Sequence, residues 1–304
     1  MAVADLRVPV EPGVELHVRS WSGPDRADPG PGGADRRGFL LVHGLSSNAR
    51  LWDEVAALLA AAGHPAWAVD LRSHGESDAP ADGYDCPTAA ADLAAVADAF
   101  GLTGLIVAGQ SWGGNVVVRL AAQRPDLVAG LALIDGGWID LAGQFGSWEE
   151  CAAALRPPEL DGLRAERLRI VLRTSHPDWS ASAIEATVAN LRERPDGTLE
   201  RRLSIDRHML IVRSMWDYPP QPLFAQVRAP VLLMPAMPAA EAGAARRREV
   251  VAQAATVFPQ ATIREYAGAD HDLHAQHPDE VATDLLTLAV SERANQQTES
   301  VSSQ

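Results

Sequence analysis

The chain contains no lysine, so all 26 of its basic Lys/Arg side chains are arginines. Together with the frequent alanine, this absence is typical of a GC-rich coding sequence and indicates no function. The chain has 26 arginines and 40 aspartate and glutamate side chains, so its formal net charge is −14. Because nucleic acids and anionic membranes attract cationic proteins, this charge disfavours nucleic acid and membrane as partners.

Cysteine is also scarce, since Cys86 and Cys151 are the only two. Two cysteines cannot form a disulfide framework, and their spacing is not that of a metal site. No apolar run approaches the roughly 20 residues of a membrane span. The N-terminus has no basic segment followed by an apolar core, as a secretory signal would have. We therefore expect a cytoplasmic protein that uses no metal and no other cofactor and acts on a small molecule.

The 304 residues, of which 47% are hydrophobic, are enough for one large domain with an insertion. Apolar runs alternate with helical patterns, which predicts an α/β fold with a mostly parallel, twisted sheet of eight strands and helices on both faces. The predicted strands are 6–10, 14–20, 39–42, 66–69, 105–108, 128–134, 230–234 and 262–266. The predicted helices outside the insertion are 50–62, 88–100, 115–124, 246–257 and 278–290, and the arginines at 246–248 are expected on a solvated helix face.

Three segments depart from this alternation. Residues 22–37 are rich in Pro, Gly and Asp, which predicts a mobile surface loop, and the polar tail 291–304 is expected to be disordered. Residues 138–224 contain helical patterns and no predicted strand, so we expect a helical cap there. The core would then comprise residues 1–137 and 225–304. Ligands bind at the C-terminal edge of open α/β sheets, which the cap would cover.

The most informative stretch is residues 105–114, LIVAGQSWGG. A predicted buried strand leads through Gly-Gln-Ser-Trp-Gly directly into a predicted helix. A chain that reverses so sharply strains the central Ser111 and needs small residues two positions before and after it. The serine oxygen then lies at a helix N-terminus, where an anion is stabilised. This stretch therefore predicts that Ser111 is a nucleophile.

A serine hydroxyl needs a base that removes its proton, and the base needs a carboxylate that orients it. His271 follows the last predicted strand and is the favoured base, with His274 as the alternative. Asp135 follows the strand 128–134 and is the favoured acid. Glu241 is the alternative acid, because it is the only acid soon after the strand 230–234. An aspartate before two glycines is also ordinary turn chemistry, so a structural role for Asp135 stays open.

An oxyanion formed at the attacked carbonyl needs hydrogen-bond donors that already point at it. The backbone N–H of Trp112 lies just after the nucleophile, and the N–H of Leu45 follows His43-Gly44. Both are expected to bind the oxyanion. His43 itself is expected to support the loop by hydrogen bonds.

Four motifs together resemble the α/β-hydrolase fold over residues 39–290. They are LLVHGLSSNARLW (40–52), VDLRSHGESD (69–78), GQSWGG (109–114) and GADHDLHAQHP (268–278). The resemblance implies the order nucleophile, acid, base for Ser111, Asp135 and His271. In that fold the acid usually follows the strand after the insertion, where this chain has no aspartate. Certain haloalkane dehalogenases carry it after the preceding strand, which is where Asp135 lies.

The resemblance also narrows the expected reaction. Haloalkane dehalogenases and epoxide hydrolases of this fold use an aspartate nucleophile, whereas this chain has Ser111. Proline iminopeptidases have HGGPG in the oxyanion loop, whereas residues 43–47 are HGLSS. The loop is similar to that of carboxylesterases, lactonases and C–C bond hydrolases. We expect cleavage of a small, fairly apolar ester or lactone. The alternatives are a C–C bond hydrolase of a diketone-type substrate and a slow or inactive ligand-binding protein.

Aromatic and sulfur-containing side chains are concentrated in the insertion and at its borders. They either pack helix against helix or line an apolar pocket above Ser111. The candidate pocket residues are His43, Trp138, His208 and Trp216. The natural substrate and the oligomeric state are not predicted by the sequence.

Overall fold

The structure is a computed structural model that describes residues 3–22, 37–160 and 162–302. Its strands are β1 (Val3–Glu11), β2 (Val14–Trp21), β3 (Phe39–Val42), β4 (Ala66–Val69), β5 (Leu105–Gln110), β6 (Val128–Ile134), β7 (Leu191–Glu193), β8 (Leu199–Arg201), β9 (Val231–Met234), β10 (Ala236–Met237), β11 (Ala261–Ile263) and β12 (Tyr266–Ala267). Its α-helices are α1 (Asp53–Ala61), α2 (Cys86–Ala99), α3 (Trp112–Gln123), α4 (Leu141–Gln144), α5 (Trp148–Leu155), α6 (Ala165–Ser175), α7 (Ala181–Val188), α8 (Ile205–Asp217), α9 (Glu241–Val257), α10 (Leu273–Gln276) and α11 (Pro278–Ser302).

The central sheet has eight strands in the order β1-β2-β4-β3-β5-β6-β9-β11. Strands β1 and β2 pair antiparallel, as do β2 and β4. All other neighbours in this sheet are parallel. The predicted eight-stranded, mostly parallel sheet is therefore confirmed. The parallel strands place their C-terminal ends at one edge, and the loops that follow β3, β5 and β6 meet there.

Helices cover both faces of the sheet because its inner strands are apolar on both sides. In β3, Leu40 and Val42 pack in one buried cluster with α2, α3 and α9. Phe39 and Leu41, which alternate with them, pack in a second cluster with α1 and α11. Successive side chains of a strand point to opposite faces, so four consecutive apolar residues fit a strand that is buried on both sides.

Some predicted bounds were wrong. The helix predicted at 50–62 begins as a 3₁₀ turn, Ala49–Trp52, and becomes α-helical at Asp53. The strand predicted at 262–266 is divided into β11 and β12, and β12 pairs with β10 outside the central sheet. Helix α11 extends to Ser302, although the segment after residue 290 was expected to be disordered. Of the loop predicted at 22–37, residues 23–36 lie outside the described part of the chain.

The segment between β6 and β9 contains helices α4 to α8 and a short hairpin. The expectation of no strand in this segment was wrong, because β7 and β8 pair antiparallel. Gly197 in the hairpin loop has a φ of 80°, which a glycine adopts without strain. The sequence Pro195-Asp196-Gly197 is a recognisable turn signal and would have predicted this hairpin.

Within the described part of the chain, no helix is both long and apolar enough to cross a membrane.

Candidate active site

Ser111 lies between β5 and α3, at the sharp turn that the sequence predicted. Its backbone has φ 54° and ψ −123°, in a region that residues other than glycine rarely adopt. A Cβ on Gly109 would lie 2.5 Å from the carbonyl oxygen of Gly113. A Cβ on Gly113 would lie 2.8 Å from the carbonyl oxygen of Val42 and closer still to that of His43. The glycines two positions before and after Ser111 are therefore required by backbone contacts.

Asp135 and His271 meet at the same edge of the sheet. The Nδ1 atom of His271 donates a hydrogen bond to Oδ2 of Asp135, over 2.6 Å. The backbone N–H of Ala236 donates to the other carboxylate oxygen, Oδ1, over 3.1 Å. The side chain of Asp135 is only 3% exposed, whereas that of His271 is 54% exposed. The carboxylate is thus held in a fixed orientation behind an accessible imidazole ring.

The surroundings of His271 favour its protonated form. Desolvation by itself would lower the pKa of His271, but the hydrogen bond and the charge of Asp135 outweigh it, and the charge of Asp272 adds to them. The net result is a raised pKa. A stabilised imidazolium is what a general base requires after it has accepted a proton.

Glu241 and His274, the alternative acid and the alternative base, do not take part in the contact between Asp135 and His271. Glu241 begins α9 with a side chain that is 87% exposed and pairs with Arg248. His274 is fully buried in α10, and its ring lies 4.3 Å from the ring of Trp52. Burial lowers the pKa of His274 to about 3. Of the two candidate acids, it is Asp135 that contacts His271.

The loop after β3 forms a tight turn against Ser111. The N–H of Ser47 donates to the carbonyl of Gly44 over 3.2 Å, and Ser46 has a φ of 61°. A Cβ on Gly44 would lie 3.0 Å from Cβ of Ser111, so the loop backbone passes close to Ser111. Leu45, a predicted oxyanion donor, occupies the second position of this turn.

Trp112, the other predicted donor, is the first residue of α3. The first N–H groups of a helix have no acceptor within the helix, so they are available to an anion. His43 is buried, and both of its ring nitrogens are engaged by the backbone. Nδ1 contacts the carbonyl of Gly44 at 2.7 Å, and the N–H of Leu71 donates to Nε2 over 3.0 Å. His43 therefore supports the loop and offers no free nitrogen to a ligand.

His208 connects α8 to the loop after β3. Its Nδ1 lies 3.0 Å from Oγ of Ser46, and its Nε2 lies 3.1 Å from the carbonyl of Leu155. Both nitrogens are thus occupied by protein groups. The position of His208 couples the segment between β6 and β9 to the turn that carries Leu45.

The two tryptophans predicted for the pocket have different neighbours. Trp216 packs edge to face on Trp148, with ring centroids 6.0 Å apart. Trp138 lines a cavity of about 370 Å³ together with Gln221 and Arg246. Ser111, Asp135 and His271 are not among the described residues that line this cavity.

Two residues at the site were missed by the sequence analysis. Gln110, just before Ser111, donates from Nε2 to the carbonyl of His271 over 3.2 Å. Arg247 forms a short ion pair with Oδ1 of Asp135. The expectation that the arginines at 246–248 lie on a solvated face was therefore wrong for Arg247. The two partners are 112 residues apart in the chain, so no local pattern indicates the contact.

Among the side chains that the structure describes, at residues 3–22, 37–160 and 162–290, no three His, Cys, Asp or Glu are grouped so that they could hold a metal ion.

An eight-stranded α/β sheet with a serine on the turn after its central strand defines the class of this protein. A model of the alpha/beta hydrolase family matches residues 39–285. The chain belongs to the alpha/beta hydrolase family.

Known proteins resemble the chain over different lengths. A lipase of Mycobacterium tuberculosis is 36% identical over 122 residues, which cover 40% of this chain and 42% of the lipase. A haloalkane dehalogenase of Psychrobacter cryohalolentis is 34% identical over 129 residues, with the same two shares. The chain thus spans about two fifths of the length of these relatives. The thioesterase domain from the curacin biosynthetic pathway is 19% identical with a TM-score of 0.74, and the match covers 94% of this chain and 100% of that domain.

Proposed function

We propose that this protein is a serine hydrolase that cleaves a carboxylic ester or lactone of a small, fairly apolar substrate. The observation that carries the proposal is the hydrogen bond between His271 and the buried Asp135 at the sheet edge where Ser111 lies. The lipase among the relatives and the serine at the nucleophile position support ester chemistry. The dehalogenase relative does not argue for dehalogenation here, because that chemistry requires an aspartate nucleophile.

The proposed reaction uses these groups as follows. Ser111 Oγ attacks the substrate carbonyl while Nε2 of His271 takes the hydroxyl proton. The N–H groups of Leu45 and Trp112 bind the oxyanion that develops. His271 then protonates the leaving alkoxide, and an acyl-enzyme on Ser111 remains. A water molecule, deprotonated by His271, hydrolyses that acyl-enzyme and restores the free serine.

We propose that residues 138–224 act as a cap over this site. Four contacts between this segment and the rest of the chain support that assignment. They are His208 with Ser46, Asn48 with the carbonyl of Ala186, Arg202 with the carbonyl of Gly75, and His176 with Asp270. His176 Nδ1 lies 2.7 Å from Oδ2 of Asp270, the residue before His271. A substrate would therefore enter between the cap and the C-terminal edge of the sheet.

Ester cleavage is preferred to C–C bond cleavage on the basis of the buried charges. Cleavage of a diketone-type acid would need a buried cation free to bind the substrate carboxylate. Arg72 is buried, but its guanidinium group bonds to Asp92 and Glu11. Its charge is already compensated within the protein.

The proposal predicts that a fluorophosphonate probe labels Ser111 covalently. The labelled peptide is identified by mass spectrometry, and short p-nitrophenyl esters report turnover. In Ser111→Ala both labelling and turnover are expected to disappear. Labelling that persists in this variant would overturn the assignment of the nucleophile. Labelling without turnover of any ester would favour the slow ligand-binding protein, and turnover of a vinylogous diketone alone would favour a C–C bond hydrolase.

The raised pKa of His271 predicts the pH dependence of the reaction. The base works only when it is neutral, and its pKa lies above the ordinary imidazole value of 6.5. The value of kcat/KM should therefore be low in acid and rise with pH through a midpoint above 6.5. A pH series with a p-nitrophenyl ester measures this midpoint. A midpoint well below 6.5 would contradict the arrangement of Asp135 and His271 described above.

A further inference from the structure

The carboxylate of Asp135 binds a basic side chain on each of its two sides. His271 occupies Oδ2, and Arg247 occupies Oδ1 together with the N–H of Ala236. A catalytic carboxylate needs only the histidine and neutral donors to hold its orientation. The guanidinium group is an additional positive charge directly behind the base, and the reaction described above gives it no role.

Arg247 reaches this position because of the face of α9 on which it lies. The buried residues of this helix are Ala244, Val251 and Ala254, which are seven and three residues apart and so lie on one face. Arg247 is three residues after Ala244 and four before Val251, so it shares their inward-facing stripe. Its side chain is 35% exposed. The helix is thus oriented by apolar contacts that direct one arginine at Asp135.

The neighbouring Arg248 has a different environment. It pairs with Glu265 over 3.1 Å and with Glu241 over 3.3 Å at the protein surface. Arg248 therefore offers a matched control on the same helix, with the same side chain and no contact with Asp135.

We propose that Arg247 is a positioning residue that acts through Asp135 and limits the basicity of His271. A cation on one oxygen of a carboxylate withdraws part of the negative charge that the other oxygen offers to its partner. The imidazolium of His271 is then stabilised less than it would be by Asp135 alone. The inference rests on the proposed function, in which His271 is the base.

Several charged or titratable groups act on His271 from the elements around it. Asp135 follows β6, Arg247 lies on α9, Asp272 is in the same loop, and His274 is in α10. The two carboxylates raise the pKa of His271, and Arg247 lowers it. His274, whose pKa is about 3, is neutral at working pH and adds no charge. Arg247 thus acts on His271 in the same direction as desolvation and against the two carboxylates.

The effect of Arg247 on the pKa of His271 matters for the proposed reaction. A protonated base cannot activate Ser111. The charge of Arg247 lowers the pKa of His271 and so favours the neutral ring, while Asp135 keeps its hydrogen bond to Nδ1 of that ring. A lysine at this position would keep the charge, whereas a glutamine would keep only hydrogen-bonding capacity.

The test measures the titration of His271 directly in the resting protein. Protein labelled with ¹⁵N in histidine is titrated by NMR, and the His271 signal is identified by its loss in His271→Gln. In Arg247→Gln the pKa of His271 is expected to rise by about 0.5 to 1 unit, within the range that a nearby charge produces. Arg247→Lys should restore a pKa close to that of the wild type, and Arg248→Gln should leave it unchanged.

Kinetics supply the second readout. The acid midpoint of kcat/KM for a p-nitrophenyl ester should shift upward in Arg247→Gln by the same amount as the NMR titration. If the pKa of His271 is unchanged or lower in Arg247→Gln, the inference is overturned, even if the rate or the melting temperature falls. Such a fall alone would mean that Arg247 only supports the fold.

These experiments can refute the proposed hydrolase function and the proposed role of Arg247 independently of each other. Because the NMR titration needs no turnover, it tests Arg247 even if no ester is cleaved. Absence of labelling at Ser111 would refute the hydrolase proposal and leave the effect of Arg247 on His271 standing.

Discussion

The Asp135→Asn variant is expected to lose about four orders of magnitude in kcat, although the protein remains folded. The substitution changes one oxygen to nitrogen in a side chain that is 3% exposed. The shape of the site is thus retained. The loss would come from the hydrogen-bonding pattern that the new amide imposes on His271.

The contacts of Asp135 determine how that amide must be oriented. Two donors, the N–H of Ala236 and the guanidinium of Arg247, point at Oδ1. The amide oxygen of the asparagine must take this position, so its NH₂ group faces Nδ1 of His271. Nδ1 then has to accept a hydrogen bond, which moves the ring proton to Nε2. That is the nitrogen that should take the proton of Ser111, so the base is blocked.

The kinetics of p-nitrophenyl ester hydrolysis, followed with circular dichroism as a check of folding, measure this loss. Glu241→Gln is the matched control, because Glu241 lies on the surface in contact with Arg248. Its kcat should stay within about twofold of the wild type, as is usual for a surface substitution. If Asp135→Asn kept most of its activity and Glu241→Gln lost it, the acid would have to be reassigned.

The fold could be predicted from the sequence because its signals are local. The apolar runs of the inner strands and the helical patterns between them are short-range features. At Ser111 the prediction went further, since the glycines at 109 and 113 reflect a steric requirement that any strand–serine–helix turn of this kind shares. Short-range sequence patterns therefore indicated both the architecture and Ser111 as the candidate nucleophile.

The surroundings of the acid could not be predicted, because they depend on contacts between distant segments. Asp135 is 136 residues before His271 and 112 residues before Arg247. The sequence offered Asp135 and Glu241 as alternatives, and the packing of α9 brings Arg247 to Asp135 and leaves Glu241 on the surface. Three consecutive arginines have the composition of a solvated helix face. Their separate environments follow only from the rotation of the helix against the core.

A Gly44→Ala substitution is expected to lower kcat by about 10² to 10³. The new Cβ would lie 3.0 Å from Cβ of Ser111 and closer still to Oε1 of Gln110. The turn from Gly44 to Ser47 would have to move away from the nucleophile. The N–H of Leu45 would then no longer point at the oxyanion, and the Gln110 side chain would be pushed from its hydrogen bond with the carbonyl of His271.

Separate measurements of kcat and KM for a p-nitrophenyl ester distinguish this effect from a loss of binding. An oxyanion donor acts mainly on the transition state, so kcat should fall while KM changes little. Gly243→Ala on α9 is the matched control, since its Cβ would meet its nearest neighbour at an ordinary 3.4 Å. A Gly44→Ala enzyme with wild-type kcat would mean that the loop after β3 donates no hydrogen bond to the oxyanion. Trp112 would then be the donor on which the site depends, and the second would have to lie elsewhere.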